Sequence, residues 1–153
     1  MKRLLLLICG ITGLSACHHG QDPAPTVSPR TALLTANKWR VTALTTTTTV
    51  NGQVIVEDDF AQTPPCERDN FLQFNQDQTV LNDVGADKCS AQEPQSMTTH
   101  WAFDKDETHL LLEVGASTIP IGYIVKLSGT TFHLQNVPAG SVDTVEDITF
   151  TAF

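Results

Sequence analysis

The chain has 153 residues, with 17 acidic and 9 basic side chains and a formal charge of −8 at pH 7. That length suits one domain. The acidic balance excludes nucleic acid as a partner and electrostatic docking on anionic lipid.

Lys2 and Arg3 open the chain, and Leu4 to Leu14 is a short apolar run that contains Cys9. The run is well below the roughly 20 residues a membrane-spanning helix needs. A basic start, a short apolar core and small residues ahead of a cut site describe a secretory signal peptide. Leu14 stands three residues before Cys17, where ordinary signal peptidase wants a small residue. The run Leu14-Ser15-Ala16-Cys17 instead resembles the lipobox of bacterial lipoproteins. The resemblance implies a signal peptide over 1–16, with the Cys17 thiol acting as the nucleophile that takes up diacylglycerol. It implies a membrane partner, held through lipid at Cys17, and a cell-envelope location. His18 rather than Asp follows the lipidated cysteine, so the expected anchor is the outer membrane. Cleavage would remove Lys2 and Arg3 and no acid, moving the formal charge from −8 to about −10.

Residues 17–30 are polar and proline-rich and read as a tether. His18-His19 lacks the further ligands of a tight metal site. Ser28-Pro29 is an N-cap with proline at the first helical position, which predicts one or two helical turns over Thr31 to Asn37. From Trp39 onward the apolar period is two, which predicts an all-β domain over 31–153. Nine strands are expected, at 39–50, 53–60, 69–75, 78–84, 97–103, 108–114, 118–127, 130–137 and 144–152.

Hairpin turns must bring the apolar residues of both strands to one face. Asn51-Gly52, the strongest hairpin signal, pairs Val50 with Gln53 and sets Trp39, Val41 and Ala43 with Val54, Val56 and Phe60. A turn pairing Asn75 with Gln78 sets Leu72 and Phe74 beside Leu81. One pairing Asp104 with Glu107 sets Met97, Trp101 and Phe103 with Leu110, Leu112 and Val114. One pairing Leu127 with Thr130 across Ser128-Gly129 sets Ile121, Tyr123, Val125 and Leu127 with Phe132 and Leu134. The last strand turns Ile148, Phe150 and Ala152 inward. An antiparallel up-and-down meander of eight or nine strands with one apolar face loses its edges by closing into a barrel, preceded by one short helix. A β-sandwich is the alternative.

With Cys9 in the signal peptide and Cys17 lipidated, Cys66 and Cys89 remain as an even pair in an oxidising compartment. Cys66 falls opposite Asp87, two residues from Cys89, so a disulfide is expected to staple that hairpin.

The run Leu34 with Asn37-Lys38-Trp39, then Asn70-Phe71-Leu72-Gln73-Phe74 with Asp77 and Thr79, resembles a lipocalin-like domain. Trp101-x-Phe103, Leu110-Leu111-Leu112 and the run from Leu127 to Leu134 continue the resemblance. Asn37 stands where lipocalins proper have glycine, at a helix end where asparagine can take the left-handed conformation. The resemblance implies a calyx holding a small hydrophobic ligand, lined by Trp39, Phe74, Trp101, Tyr123 and Phe132. The same aromatics could instead fill the core.

No catalytic constellation and no cofactor motif is found. His100 and His109 are expected as diagonal neighbours on an outer face with Glu113 nearby, a weak metal set against a solvated surface. Glu57-Asp58-Asp59 and Asp104 to Glu107 lack the spacing of a calcium loop. The favoured function is an envelope binding module for a small hydrophobic ligand. The alternative is a filled barrel that binds an envelope protein through the loops at 60–68 and 85–96.

Overall fold

The computed structural model describes residues 27–153. The expected signal peptide over 1–16, Cys17 and His18-His19 lie outside the described residues. Helix α1 (Pro29–Thr35) is followed by strands β1 (Lys38–Val50) and β2 (Gln53–Asp58), and by a single-turn helix, α2 (Asp59–Gln62). A 3-10 turn at Pro65–Glu67 leads into β3 (Phe71–Phe74) and β4 (Thr79–Asp83). The remaining strands are β5 (Ser96–Phe103), β6 (His109–Val114), β7 (Ser117–Leu127), β8 (Thr131–Asn136) and β9 (Thr144–Ala152).

Every neighbouring pair is antiparallel, and β9 returns to pair with β1. β1 and β3–β9 therefore form a closed eight-stranded barrel, and β2 is an extra strand on the outer half of β1. The expected all-β barrel with a short N-terminal helix is what forms. The Ser28 hydroxyl caps α1 by accepting from the Thr31 N–H at 3.0 Å, and Pro29 opens the helix.

The lower end of the barrel carries α1 and the turns after β3, β5 and β7. It is filled by aromatic rings. Phe132 lies edge-on to Trp39 and Phe74, with centroids 5.8 and 6.3 Å away, and stacks on Phe150 at 5.2 Å. Trp101 meets Phe74 edge-on at 5.5 Å. Such pairs contribute beyond their buried area. Both indole N–H groups are satisfied: Trp39 Nε1 donates to the Leu34 carbonyl at 2.8 Å and Trp101 Nε1 to the Asn75 carbonyl at 3.1 Å. The first of these bonds takes up a carbonyl that the end of α1 leaves free. Arg30 donates to the Glu107 carbonyl and Asn37 to the Gly129 carbonyl, so helix and turns close one floor. Asn37 does this with an ordinary backbone; it is not among the described residues with positive φ.

Turn chemistry decides where the predicted registers hold. Asn51 and Gly52 take φ of 52° and 78°, and Val50 pairs with Gln53 as expected. Gln78 and Glu107 also adopt positive φ, 67° and 54°, and each adds to its loop. The Asn75 N–H therefore donates to the Thr79 carbonyl and sets the ladder register, while the Gln78 N–H closes the tight turn onto the Asn75 carbonyl. That one-residue slip flips β4. Val80 enters the core opposite Phe74, and Leu81 faces out opposite Gln73. Asp104 closes on His109 and Ser128 on Thr131. Near the turns these shifts are even, so Trp101, Phe103, Leu110, Leu127 and Phe132 keep their inward face.

Bulges account for the remaining corrections. Pairing skips Thr42 in β1, so Ala43 is exposed and Leu44 takes the inner face opposite Ile148. Pairing skips Val125 in β7, so Ile124 is buried while Tyr123 and Val125 are each 47% exposed. Such bulges bend and coil a strand, as barrel closure requires. β2 runs alongside Thr45–Val50 only. Its Val54 and Val56 are exposed, and Phe60 belongs to α2 instead of a continued strand.

Trp39→Phe removes the donor to Leu34 and leaves a void beside Phe132. It is expected to lose about 3 kcal/mol in urea unfolding. Tyr123→Ala, on the outer surface, is expected to cost less than about 1 kcal/mol.

Candidate functional site

Above the aromatic floor the wall divides. The β1–β3 ladder ends at Arg40–Phe71, and the β7–β8 ladder ends at Tyr123–Gln135. Beyond those rungs β1 continues with β2 and β9, and β7 continues with β6. The upper barrel thus consists of two walls, β3–β7 and β8–β9–β1–β2, with a seam on each side.

The β3–β7 wall holds an apolar cavity of about 140 Å³. Leu72, Val80, Met97, Leu112 and Ile121 line it, and Phe74 lies beneath. Met97 points inward yet is 65% exposed, because the mouth above it is open. A second hollow of about 160 Å³ occupies the β1–β3 seam and shares Leu72 and Asn82 with the first. Asn82 faces Leu72 across the ladder, so its amide stands where the two hollows meet.

The facing wall is polar. Leu44 and Ile148 face inward as a pair, so Thr46 and Glu146, two residues on, share that face. Asn136 donates to Glu146 at 3.1 Å, and the Thr46 hydroxyl donates to Asp59 at 2.6 Å. Glu57 lies beside Thr46 in the same row. The mouth therefore has one mainly apolar wall, with the Asn82 amide and the Thr99 hydroxyl as its polar side chains, and one wall bearing carboxylates.

Of the five aromatics expected to line the calyx, Trp39, Phe74, Trp101 and Phe132 converge inside the barrel, buried to 4% exposure or less. They fill its floor; Phe74 reaches the cavity and Trp39 borders the second hollow. Tyr123 is outside, edge-on to His109 at 5.5 Å, because the Val125 bulge inverts its face. Val80 and Asn82 escaped sequence reasoning through the β3–β4 register. The positive φ of Gln78, a non-glycine residue, leaves no reliable mark in sequence.

The β7–β8 seam opens on the outer surface as a groove of about 590 Å³ beside His109, Tyr123, Gln135 and Val137. His109 is fixed from below. Asp104 accepts from the backbone N–H groups of Thr108 and His109 at 2.6 and 3.0 Å. Its other oxygen meets the Thr108 hydroxyl and the His109 Nδ1, both at 2.9 Å. The His109 N–H, then the imidazole and Thr108, hold the Asp104 carboxyl far below its ordinary value of 3.8. His100 does not join His109. It pairs with Glu113 at 2.8 Å, and His133 pairs with Asp147 at 2.7 Å. Among the described residues no three potential ligands gather around one metal position. Asp58 caps α2 through the Ala61 N–H, and Asp59 holds Thr46, so these acids serve local structure.

A carboxyl with a depressed folded pKa contributes stability that is present above its unfolded value and is lost as pH falls through the folded one. Asp104→Asn is expected to lower the urea midpoint at neutral pH. The gap to wild type is expected to narrow as pH drops below 3.8; a gap independent of pH would contradict this. No protein-family model and no curated protein matches the sequence, so the site rests on its own geometry.

Proposed function

We propose that this chain is a lipid-anchored envelope lipoprotein whose lipocalin-like barrel is a binding module for a small hydrophobic ligand taken at its mouth. The observation that carries the reading is the apolar cavity above a filled floor, with Asn82 and Thr99 as polar side chains on its inner face, the Thr99 hydroxyl already donating to the Glu113 carbonyl. Binding sites of this kind are largely apolar, with a few placed polar groups that orient the ligand.

The geometry narrows the ligand. A dry apolar cavity of about this size takes one benzene-sized group. The cavity thus receives a single ring or a short branched end, and the rest of the molecule lies in the mouth between the walls. Glu146, Glu57 and the net charge of −8 disfavour an anion there. A neutral or cationic amphiphile fits better than a fatty acid.

Two naphthylamine probes that differ by one sulfonate test this. N-phenyl-1-naphthylamine is expected to bind saturably, one per chain, and to alter Trp101 emission through Phe74. Its 8-sulfonate analogue is expected to bind at least about tenfold more weakly. Leu112→Lys should abolish binding of the neutral probe, and Tyr123→Ala should leave it unchanged. Absence of saturable binding by the neutral probe would overturn the ligand reading.

The anchor rests on the lipobox-like run before Cys17. In a bacterial host fed labelled palmitate, the wild-type chain is expected to take up label and partition into membranes. Cys17→Ser is expected to do neither. Label retained in the variant would refute the assignment of Cys17.

A further inference from the structure

β2 is the end strand of the sheet, and among the described residues its only ladder is with β1. That ladder is unbroken from Thr45–Asp58 to Val50–Gln53, so no bulge turns the strand aside. Its sequence, Gln53-Val54-Ile55-Val56-Glu57-Asp58, contains no lysine, arginine or proline. Those are the usual devices that stop an open edge from pairing. Val54 and Val56 are 64% and 63% exposed on one face, and Ile55 is 46% exposed on the other. The strand's only charges, Glu57 and Asp58, stand together at one end, which leaves three consecutive β-formers as an adhesive stretch of open edge.

The order of residues says what it adheres to. In an antiparallel pairing of two copies about a two-fold axis at Ile55, Ile55 faces Ile55 of the second copy. Val54 then faces Val56, and Glu57 faces the Gln53 amide. Asp58 falls opposite Gly52, so no acid opposes an acid. Moving the axis to Val56 sets Val54 against Asp58 and Ile55 against Glu57. A parallel pairing in register sets Glu57 on Glu57 and Asp58 on Asp58, which repels. About Ile55 the strand is complementary to itself, the defining property of a two-fold interface.

We infer that β2 is the contact between two copies of this chain, paired antiparallel edge to edge about Ile55. The joined sheet would run from one barrel wall into the other. Each copy carries net negative charge, so added salt strengthens the pairing by screening long-range repulsion.

The test uses the full-length chain in nonionic detergent, with micelles in excess over protein and no probe present. Wild type is expected to sediment as a dimer whose population rises with concentration and with salt. Ile55→Lys and Ile55→Glu each place like charges across the axis and are expected to weaken association at least about tenfold. Mixed one to one, the two variants are expected to recover a dimer of mixed composition, now weakened by salt. Recovery on mixing shows that both variants are folded and that position 55 faces itself; shared micelles would not discriminate between mixed and separate samples. A wild-type chain that stays monomeric up to about 100 µM overturns the proposal. So does an Ile55→Lys chain that dimerises like wild type, or a mixture no better than its parts. Probe binding at the mouth is measured separately and survives either outcome.

Discussion

The fold depends on one buried hydrogen bond. Trp39 is the largest of the fully buried side chains, and its N–H must find a partner there. The partner is the Leu34 carbonyl at the end of α1, a group that the helix itself leaves free. One contact thus satisfies two obligations and sets the short helix across the lower opening. The helix is seven residues long and would be marginal alone. It is held because Leu34 is buried beneath the indole and because Ser28 caps its start. Everything above inherits its position from this floor: the Phe132 cluster, the inward face of β1, and the height at which the interior stops being filled.

That height is encoded in residue size. The lower rungs carry Trp39, Phe74, Trp101 and Phe132, whose rings meet across the barrel axis. The inward residues of upper β1 are Leu44, Thr46 and Thr48, and those facing them on β9 include Glu146 and Thr144. These cannot fill the same cross-section, and burying their hydroxyls and carboxylates dry would be costly. The walls separate where the aromatics end. The polar wall then satisfies itself locally through Asn136–Glu146 and Thr46–Asp59. The apolar wall has no such option and keeps an open hollow.

Strand existence and order were legible in the sequence because period-two patterning and turn residues agree over many positions. The floor was legible for the same reason: Trp39, Trp101 and Phe132 survive register shifts of two residues, which preserve the face. The cavity was not. It depends on Val80 and Asn82, which change face with the single residue that Gln78 adds to its loop. Ile121 was legible as inward and does line the cavity, at a β7 bulge flanked by Pro120 and Gly122. Tyr123 fell to the Val125 bulge in the same strand. The disulfide, by contrast, was inferred from pairing arithmetic and formed: Cys66 and Cys89 are bonded, with Cα atoms 5.2 Å apart. A loop-end contact tolerates a one-residue error that a side-chain face does not.

The place of that disulfide follows from the seam. β3 has four residues and only three rungs with β1, and β4 has five residues. Two such short strands beside an open seam would fray at their upper ends, where Leu72 and Asn82 line the cavity. The staple joins the segments just beyond those ends. Asp69 acts beside it, accepting from the Ala86 and Asp87 N–H groups at 2.6 and 3.2 Å. Those bonds, the Ala86 one foremost, hold its carboxyl below the ordinary range. Gly85 lets the chain pass: its φ is +71°, and any Cβ there would run into the Asp69 carboxyl. Three features with no role in filling the core thus converge on the rim of the apolar wall. Under the proposed binding role, a hollow without them would have to be ordered anew at each encounter, and that ordering would be subtracted from affinity. With them the wall is held in place whether or not the hollow is occupied.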